Sequence, residues 1–376
     1  MTTGQEWRQL TLTLRTYAVE ARKKGFYKAK KTRPRCWWRY DAAQAHEACD
    51  VLDSIGTGID GVSVDLASYL DREKDDRDRG GRGGRGKGRG RPGKNPSDLA
   101  KAVLLQQYVE VSNRPLAGAL SLYREKLGIR TGLGYKDVER AYDRPDVVVL
   151  VLGLFELSVK AVRDEREFSV DGTGLSTSMK DNWESYLYSR KGKRCRYSVF
   201  EKLVCVVGHT YGLVSAFRVL ESMHGNESPA LRPLVGEVVD RHGGIGLMSG
   251  DAAFFSRENC GTVAGFGGVP RLFPKKNASL KSLGVKPYQD MLLAFINDPQ
   301  RWLEDYFKKA ASEWTFSSLK RRYLRPLSRE IGSRRRLEVL AKICVYNLIR
   351  LSYARWTKDL QAKTPPQKTL QTTLTK

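Results

Sequence analysis

The sequence predicts an α/β fold, a mixed sheet flanked by helices, preceded by an all-helical region and a basic N-terminal segment. Two observations lead to this prediction. From residue 167 onward, short apolar segments of strand length alternate with segments of helical periodicity. Residues 97–160 show helical periodicity alone. Three consecutive strands, followed by alternating helices and strands, favour one mixed sheet covered by helices.

The composition indicates a polyanionic partner. The 376 residues carry a formal net charge of +24. Nucleic acid is the first candidate for such a partner, and a membrane surface is the second. No apolar run approaches the roughly 18–20 residues of a membrane-spanning helix, and the first residues, MTTGQEWRQL, are not typical of a signal peptide. We therefore expect a cytoplasmic protein with no membrane partner.

The cysteines and histidines show no metal-ligand spacing. The six cysteines include no C-x-x-C pair, which argues against a zinc ribbon and against a disulfide framework. We expect reduced thiols and ordinary core or surface histidines.

Residues 1–70 form a basic N-terminal accessory region. Its first 40 residues interleave Lys and Arg with Trp, Tyr and Phe. Such a mixture suits phosphate contact with base stacking, but it equally suits a helix that packs through its aromatic side chains. Residues 40–70 are predicted to be helical at both ends, with a break at the glycines of residues 56–61.

Residues 71–96 are predicted to be a disordered linker rich in Arg and Gly. The tract contains GGRGGRGKGRGRPGK and no apolar residue, so it cannot bury surface. Residues 81–87 match G-x-x-x-x-G-K, the start of a P-loop, but Gly88 follows where Ser or Thr is required. We interpret this match as coincidence and expect the tract to contact nucleic-acid phosphates loosely.

Residues 97–160 are predicted to be a helical region. Ser97 is a candidate N-cap for its first helix, which ends before the break at Asn113, Arg114 and Pro115. Helices over residues 116–123 and 135–142 and an apolar helix over residues 147–159 follow. Two short helices and a third are compatible with a helix-turn-helix, although many helical subdomains share this pattern.

Residues 161–356 are predicted to be the α/β domain. Strands are expected over residues 168–171, 203–208, 213–220, 245–249 and 269–273, with helices over residues 228–241 and 257–263. Asp171 and Asp251 each stand at the end of an apolar strand. The element order matches an RNase H-like fold. A strongly apolar helix over residues 333–355 should pack against this domain, and residues 357–376 should form a flexible tail.

The stretch from Asp298 to Arg325 is predicted to be one helix. Asp298 is its N-cap, Pro299 suits the first turn, and Pro326 ends it. At about 100° per residue, one face carries Tyr306, Lys309, Glu313 and Lys320, and the adjoining buried stripe should hold Phe307, Ala310, Ala311 and Trp314. This face is also compatible with a solvated surface of ion pairs such as Lys309 with Glu313.

The spacing of that face resembles a known signature. Tyr306-x2-Lys309-x3-Glu313-x6-Lys320 is similar to the Y-x2-R-x3-E-x6-K signature of insertion-sequence transposases of the DDE type, with Lys309 in place of the arginine. The resemblance covers roughly residues 97–355. It implies that Asp171, Asp251 and Glu313 are the catalytic residues and the ligands of two Mg²⁺ or Mn²⁺ ions.

The resemblance also implies the partners. Double-stranded DNA, as terminal inverted repeats and target, should contact Tyr306, Lys309, Lys320 and two basic clusters. The clusters are Arg190, Lys191, Lys193, Arg194 and Arg196, and Lys320, Arg321, Arg322 and Arg325. The helical region should bind the repeats, a homodimer should hold two ends in a synaptic complex, and the protein should be associated with a prokaryotic nucleoid.

Two other functions use the same residues. A structure-selective nuclease would need the carboxylates but no end-specific DNA binding. A DNA-binding protein derived from a transposase would have lost catalysis, and loss of a carboxylate would signal it. Asp171, Asp251 and Glu313 are all present.

Overall fold

The computed structural model describes residues 37–78, 93–176, 200–220, 225–275, 278–281, 283–319, 327–329 and 332–357. They divide into two units. The sheet unit runs over Val159–Ser328, and the helical unit combines Arg39–Ser158 with Arg329–Lys376.

The helical unit is built from six helices among the described residues. They are α1 (Trp37–Asp78), α2 (Pro96–Val109), α3 (Asn113–Tyr123), α4 (Tyr135–Ala141), most of α5 (Pro145–Lys160) and α11 (Gly332–Thr357). The predicted helices at 116–123 and 135–142 are therefore present as α3 and α4. Across the described parts of the chain, no helix combines the length and the apolar character needed to cross a membrane.

Helix α1 passes through its glycines without the break that we predicted there. A Cβ atom at Gly58 would lie 2.4 Å from Leu154 Cδ1, and one at Gly56 would lie 3.3 Å from the Leu127 carbonyl oxygen. The glycines therefore permit close packing rather than a turn. The helix continues to Asp78, so residues 71–78 of the predicted linker are helical. Residues 81–87, with the P-loop-like spacing, lie outside the described residues.

The start of α2 differs by two residues from the prediction. Asn95, not Ser97, is the N-cap: its side-chain oxygen accepts a hydrogen bond from the Ser97 backbone amide at 2.9 Å. Pro96 then occupies the first turn, where its missing amide costs nothing. The Ser97 hydroxyl instead donates to Asp60 Oδ1 at 2.9 Å, which ties α2 to α1.

The C-terminal helix α11 packs against α2 in the helical unit, whereas we expected it to pack on the α/β domain. Its side chains are buried almost all round from Leu337 to Ala354, which suits a helix in the middle of a bundle. Asp50 of α1 accepts hydrogen bonds from Ser352 Oγ at 2.7 Å and from Trp356 Nε1 at 3.1 Å. The end of α11 is thereby tied to α1.

The sheet unit contains the predicted mixed sheet. Its strands are β1 (Glu167–Ser176), β2 (Phe200–Gly208), β3 (Val214–Leu220), β4 (Leu247–Gly250) and β5 (Val269–Leu272). They lie in the order β3-β2-β1-β4-β5. The strands β1, β2 and β3 are antiparallel neighbours, while β1, β4 and β5 run parallel. This is the five-stranded sheet of an RNase H-like α/β fold.

Helices cover the sheet. One face, with Phe168, Val170, Val204 and Val206, packs into a core with α6 (Leu231–His242), α7 (Arg257–Gly265) and α8 (Lys286–Asn297). Helix α8 is not among the helices predicted from the sequence. Its buried residues, Tyr288, Met291, Leu292 and Phe295, have the i, i+3, i+4, i+7 spacing of an amphipathic helix and could have revealed it.

The predicted helix from Asp298 divides into α9 (Pro299–Phe307) and α10 (Ala310–Ser318), with a turn at Lys308 and Lys309. The Asp298 cap is confirmed, because its Oδ1 accepts from the Arg301 amide at 3.0 Å. The predicted end near Pro326 lies outside the described residues.

The predicted buried stripe of this stretch was wrong. Trp314 is 72% exposed, while Trp302, Leu303, Tyr306 and Phe316 are buried. The reason is that α10 packs across β1 and β2. The buried side therefore includes Tyr306 and Lys309, the start of the face that carries the signature.

Candidate active site

Parallel pairing of β1 with β4 brings Asp171 and Asp251 together. The pairing runs from Glu167 opposite Leu247 to Val170 opposite Gly250. Asp171 directly follows Val170, and Asp251 directly follows Gly250, so both carboxylates lie at the carboxyl edge of the parallel pair. The two carboxylates interact electrostatically. We predicted that Asp171 ends its strand. Instead, β1 continues to Ser176 along β2, and only its pairing with β4 ends before Asp171.

The Asp171 carboxylate is largely buried. Its side chain is 17% exposed, its Oδ1 accepts from the Gly172 amide at 3.0 Å, and its Oδ2 lies 3.4 Å from Lys309 Nζ. Burial raises the pKa of Asp171; the Lys309 ammonium opposes that rise, and the charge of Asp251 adds to it. A cation beside this carboxylate therefore stabilises its ionised form.

Asp251 is held by a turn that follows β4. Its Oδ1 accepts from the Ala253 amide at 2.9 Å. Phe254 and Phe255, just beyond, are buried in the core. The turn is therefore anchored, and the carboxylate stays beside the end of β4.

Lys309 reaches this pair from the turn between α9 and α10. Its side chain is only 10% exposed. Its backbone amide donates to the Tyr306 carbonyl at 2.9 Å, and its carbonyl accepts from Ser312 Oγ at 2.8 Å. From the sequence, the expected partners of Lys309 are a DNA phosphate or Glu313 in a surface ion pair. In the structure the lysine is buried and pairs with Asp171.

The neighbouring Lys308 has different partners. Its ammonium lies 2.9 Å from Glu167 Oε1 and 3.4 Å from Asp305 Oδ1. Arg271 also contacts Asp305, at 3.3 Å. Two adjacent lysines therefore serve two separate groups of carboxylates, and the sequence carried no signal that distinguished them.

Glu313 lies in the first turn of α10, and its side chain is exposed. Within the described ranges, no three His, Cys, Asp or Glu side chains form a group that could hold a metal ion. The structure thus brings Asp171, Asp251 and Lys309 together and does not group Glu313 with the two aspartates. The metal-binding role of Glu313 stays a prediction.

Tyr306 belongs to a buried aromatic cluster. Its ring stacks on Trp302 with 5.4 Å between centroids and lies 5.1 Å from the ring of Phe273. Trp302 also contacts Phe295 of α8. We predicted that Tyr306 positions DNA backbone. Its surroundings give it a packing role that fixes α9, and with it the turn that carries Lys309.

The other residues predicted to bind DNA lie outside the described residues. They are Arg190, Lys191, Lys193, Arg194, Arg196, Lys320, Arg321, Arg322 and Arg325.

Gly172 marks a contact that was not predicted from the sequence. A Cβ atom at this glycine would lie 2.4 Å from Glu227 Oε2. The same carboxylate pairs with Lys202 of β2 at 2.8 Å, where both side chains are mostly buried. A glycine inside a strand often marks such a close approach, and this signal was available in the sequence.

The donor set at Asp171 and Asp251 fits a hard divalent cation. Mg²⁺ and Mn²⁺ prefer carboxylate oxygens, and Mg²⁺ is often held by only one or two carboxylates and water. Cys205 of β2 lies opposite Asp171. Burial, with a smaller contribution from the Asp171 charge, raises the pKa of the Cys205 thiol well above its ordinary value.

The chain matches a known domain family and a known protein. Residues 163–348 match the family model of the transposase DDE domain. A protein from Archaeoglobus fulgidus, described as a probable transposase for an insertion sequence element, is 28% identical over 271 residues, which is 71% of this chain and 78% of the archaeal protein. The domain match includes Asp171, Asp251, Lys309 and Glu313.

Proposed function

Because the chain belongs to the DDE transposase family, we propose that it mobilises an insertion sequence. In this proposal it binds the terminal inverted repeats, cuts the DNA there and joins the freed ends to target DNA. The observation that carries the proposal is the placement of Asp171 and Asp251 side by side at the carboxyl edge of β1 and β4. The net charge of +24 supports a DNA partner.

Asp171 and Asp251 are the residues that would hold the metal, with Glu313 as a further ligand. We propose two ions, Mg²⁺ or Mn²⁺. Bound divalent ions would supply Lewis acidity at the scissile phosphate and would lower the pKa of a bound water. The Asp171 carboxylate contributes a negative charge that is largely withdrawn from water, where electrostatic interactions are stronger than at an exposed position.

Both units offer surfaces for DNA. In the helical unit, Arg114, Arg130, Lys136 and Arg140 are exposed on α3, α4 and the segment between them, which supports terminal-repeat binding there. In the sheet unit, Lys309 and the predicted basic clusters would contact phosphates near the scissile bond. Holding two element ends together requires more than one copy, so we propose a homodimer in a synaptic complex, acting in the cytoplasm at the nucleoid.

The test replaces each carboxylate without changing its shape. Asp171→Asn, Asp251→Asn and Glu313→Gln should reduce Mg²⁺-dependent cleavage of DNA carrying the flanking inverted repeats to background. Each change removes one negative charge and no cation, so DNA binding, measured by fluorescence anisotropy, should stay near the parent value. Asp290→Asn, an exposed aspartate of α8, makes the same charge change and should cleave like the parent.

The same assay separates the alternatives. Parent-level cleavage by Asp171→Asn or Asp251→Asn would remove that residue from the site. Cleavage of DNA structures without any joining of ends would favour a structure-selective nuclease. Specific DNA binding with neither reaction would favour a DNA-binding protein derived from a transposase.

A further inference from the structure

The position of Lys309 is unexpected for a residue that contacts DNA. Its ammonium is buried beside Asp171, the carboxylate that is proposed to hold a metal. Asp171 Oδ1 is engaged by the Gly172 amide, and Oδ2 is the oxygen nearest the ammonium. A divalent cation at Oδ2 would therefore compete with the positive charge of Lys309 for this carboxylate.

We propose that Lys309 is the internal counter-ion of the metal-free site. Its ammonium neutralises Asp171 until a divalent cation displaces it, and the displaced side chain then pairs with a phosphate of bound DNA. This inference rests on the proposed metal and DNA binding of the site. In this scheme Lys309 acts through Asp171, because it controls the affinity of the site for metal and for DNA.

The geometry supports the exchange of partners. The Lys309 backbone is fixed by hydrogen bonds to Tyr306 and Ser312, so the side chain can move without the helices. The lysine stem is long and flexible, and its ammonium can donate in several directions. An ionised carboxylate without a partner would be costly in this buried place, so a cation beside Asp171, either Lys309 or a metal ion, stabilises its charged form.

The exchange couples metal to DNA. Metal and Lys309 compete for Asp171, while Asp171 and the phosphate compete for Lys309. Metal binding at Asp171 thus frees Lys309 to pair with the phosphate, and DNA binding draws Lys309 away from Asp171. By linkage, metal and DNA must therefore strengthen each other's binding by the same factor. Premature loading of metal in the absence of DNA would be disfavoured.

The test measures Mn²⁺ affinity of the whole chain by electron paramagnetic resonance, first without DNA. Lys309→Met should bind Mn²⁺ about tenfold more tightly than the parent, within the 5–150-fold range of typical coupled sites. Lys309→Arg, which keeps the charge, should bind like the parent. Lys308→Met is the matched control, because that lysine pairs with Glu167 and Asp305 and should not affect Mn²⁺ affinity.

The second arm adds a DNA duplex and uses Asp171→Asn to subtract Mn²⁺ bound by DNA itself. DNA should tighten Mn²⁺ binding to the parent by about fivefold or more and should have no such effect in Lys309→Met. Lys309→Gln, which keeps a hydrogen-bond donor, replaces the methionine variant if that variant does not fold.

The outcomes separate this inference from the proposed function. If removal of the Lys309 charge leaves Mn²⁺ affinity unchanged or weaker, while Asp171→Asn abolishes binding, the counter-ion role is refuted and the metal site stands. If Asp171→Asn binds Mn²⁺ like the parent, both the metal site and the counter-ion role fail.

Discussion

Protonation of His242 should destabilise the sheet unit in mild acid. This histidine, at the end of α6, is 2% exposed. Its Nδ1 lies 3.1 Å from the Val162 carbonyl oxygen, and its Nε2 lies 3.0 Å from Ser215 Oγ. A carbonyl only accepts, so Nδ1 carries the proton and Nε2 accepts from the Ser215 hydroxyl. The folded state therefore needs the neutral ring.

The size of the effect follows from the pKa. Burial lowers the pKa of His242 from 6.5 to about 4, with help from the charges of Arg166 and Arg241. Because the pKa is lower in the folded state than in the unfolded state, the stabilisation is complete above pH 6.5 and is lost as the pH falls toward 4. Between pH 7.5 and pH 5 the loss amounts to about 2 kcal/mol from this residue.

Urea unfolding at pH 7.5 and pH 5 measures this loss. The parent also contains His209, whose pKa burial lowers to about 4 beside Glu167, so its total pH dependence should be larger than that of His242 alone. His242→Gln should lose about 2 kcal/mol less than the parent between the two pH values. An unchanged pH dependence in His242→Gln would refute the reasoning.

Two further predictions concern contacts that stabilise the fold. Gly172→Ala should lower the free energy of unfolding by about 1–3 kcal/mol, because the new methyl group would displace the Glu227 carboxylate from Lys202. An unchanged urea midpoint would show that the carboxylate moves without cost. Asp50→Ala should cost about 1–3 kcal/mol through loss of the bonds from Ser352 and Trp356. Unchanged hydrogen exchange at the end of α11 would contradict that role.

Much of the candidate active site was visible in the chain because its parts are local. Asp171 and Asp251 each follow an apolar segment, and parallel strands in one sheet bring such positions to the same edge. The spacing from Tyr306 to Lys320 is likewise a property of one segment. Sequence periodicity shows which residues share a side of one element. This was enough to predict the sheet and to place Asp171 and Asp251 after apolar strand segments.

The helix that carries the signature shows where local reasoning ended. The sequence predicted one helix with Trp314 inside, whereas a turn at Lys308 and Lys309 and packing across β1 and β2 leave Trp314 exposed. A helical wheel ranks the sides of a helix by hydrophobicity. It cannot show that Lys309 lies on a buried side, because that burial depends on an ion pair with Asp171 of β1.

By itself, the sequence determined the order of the five strands, the candidate aspartates Asp171 and Asp251, the basic character of the chain and the resemblance to DDE transposases. Only the tertiary structure decided that Lys309 pairs with Asp171 and that α11 joins the helical unit. The physical reason is that periodicity and capping act within a few turns of chain. Ion pairs between elements, and the partner of an apolar helix, depend on contacts between residues far apart in sequence.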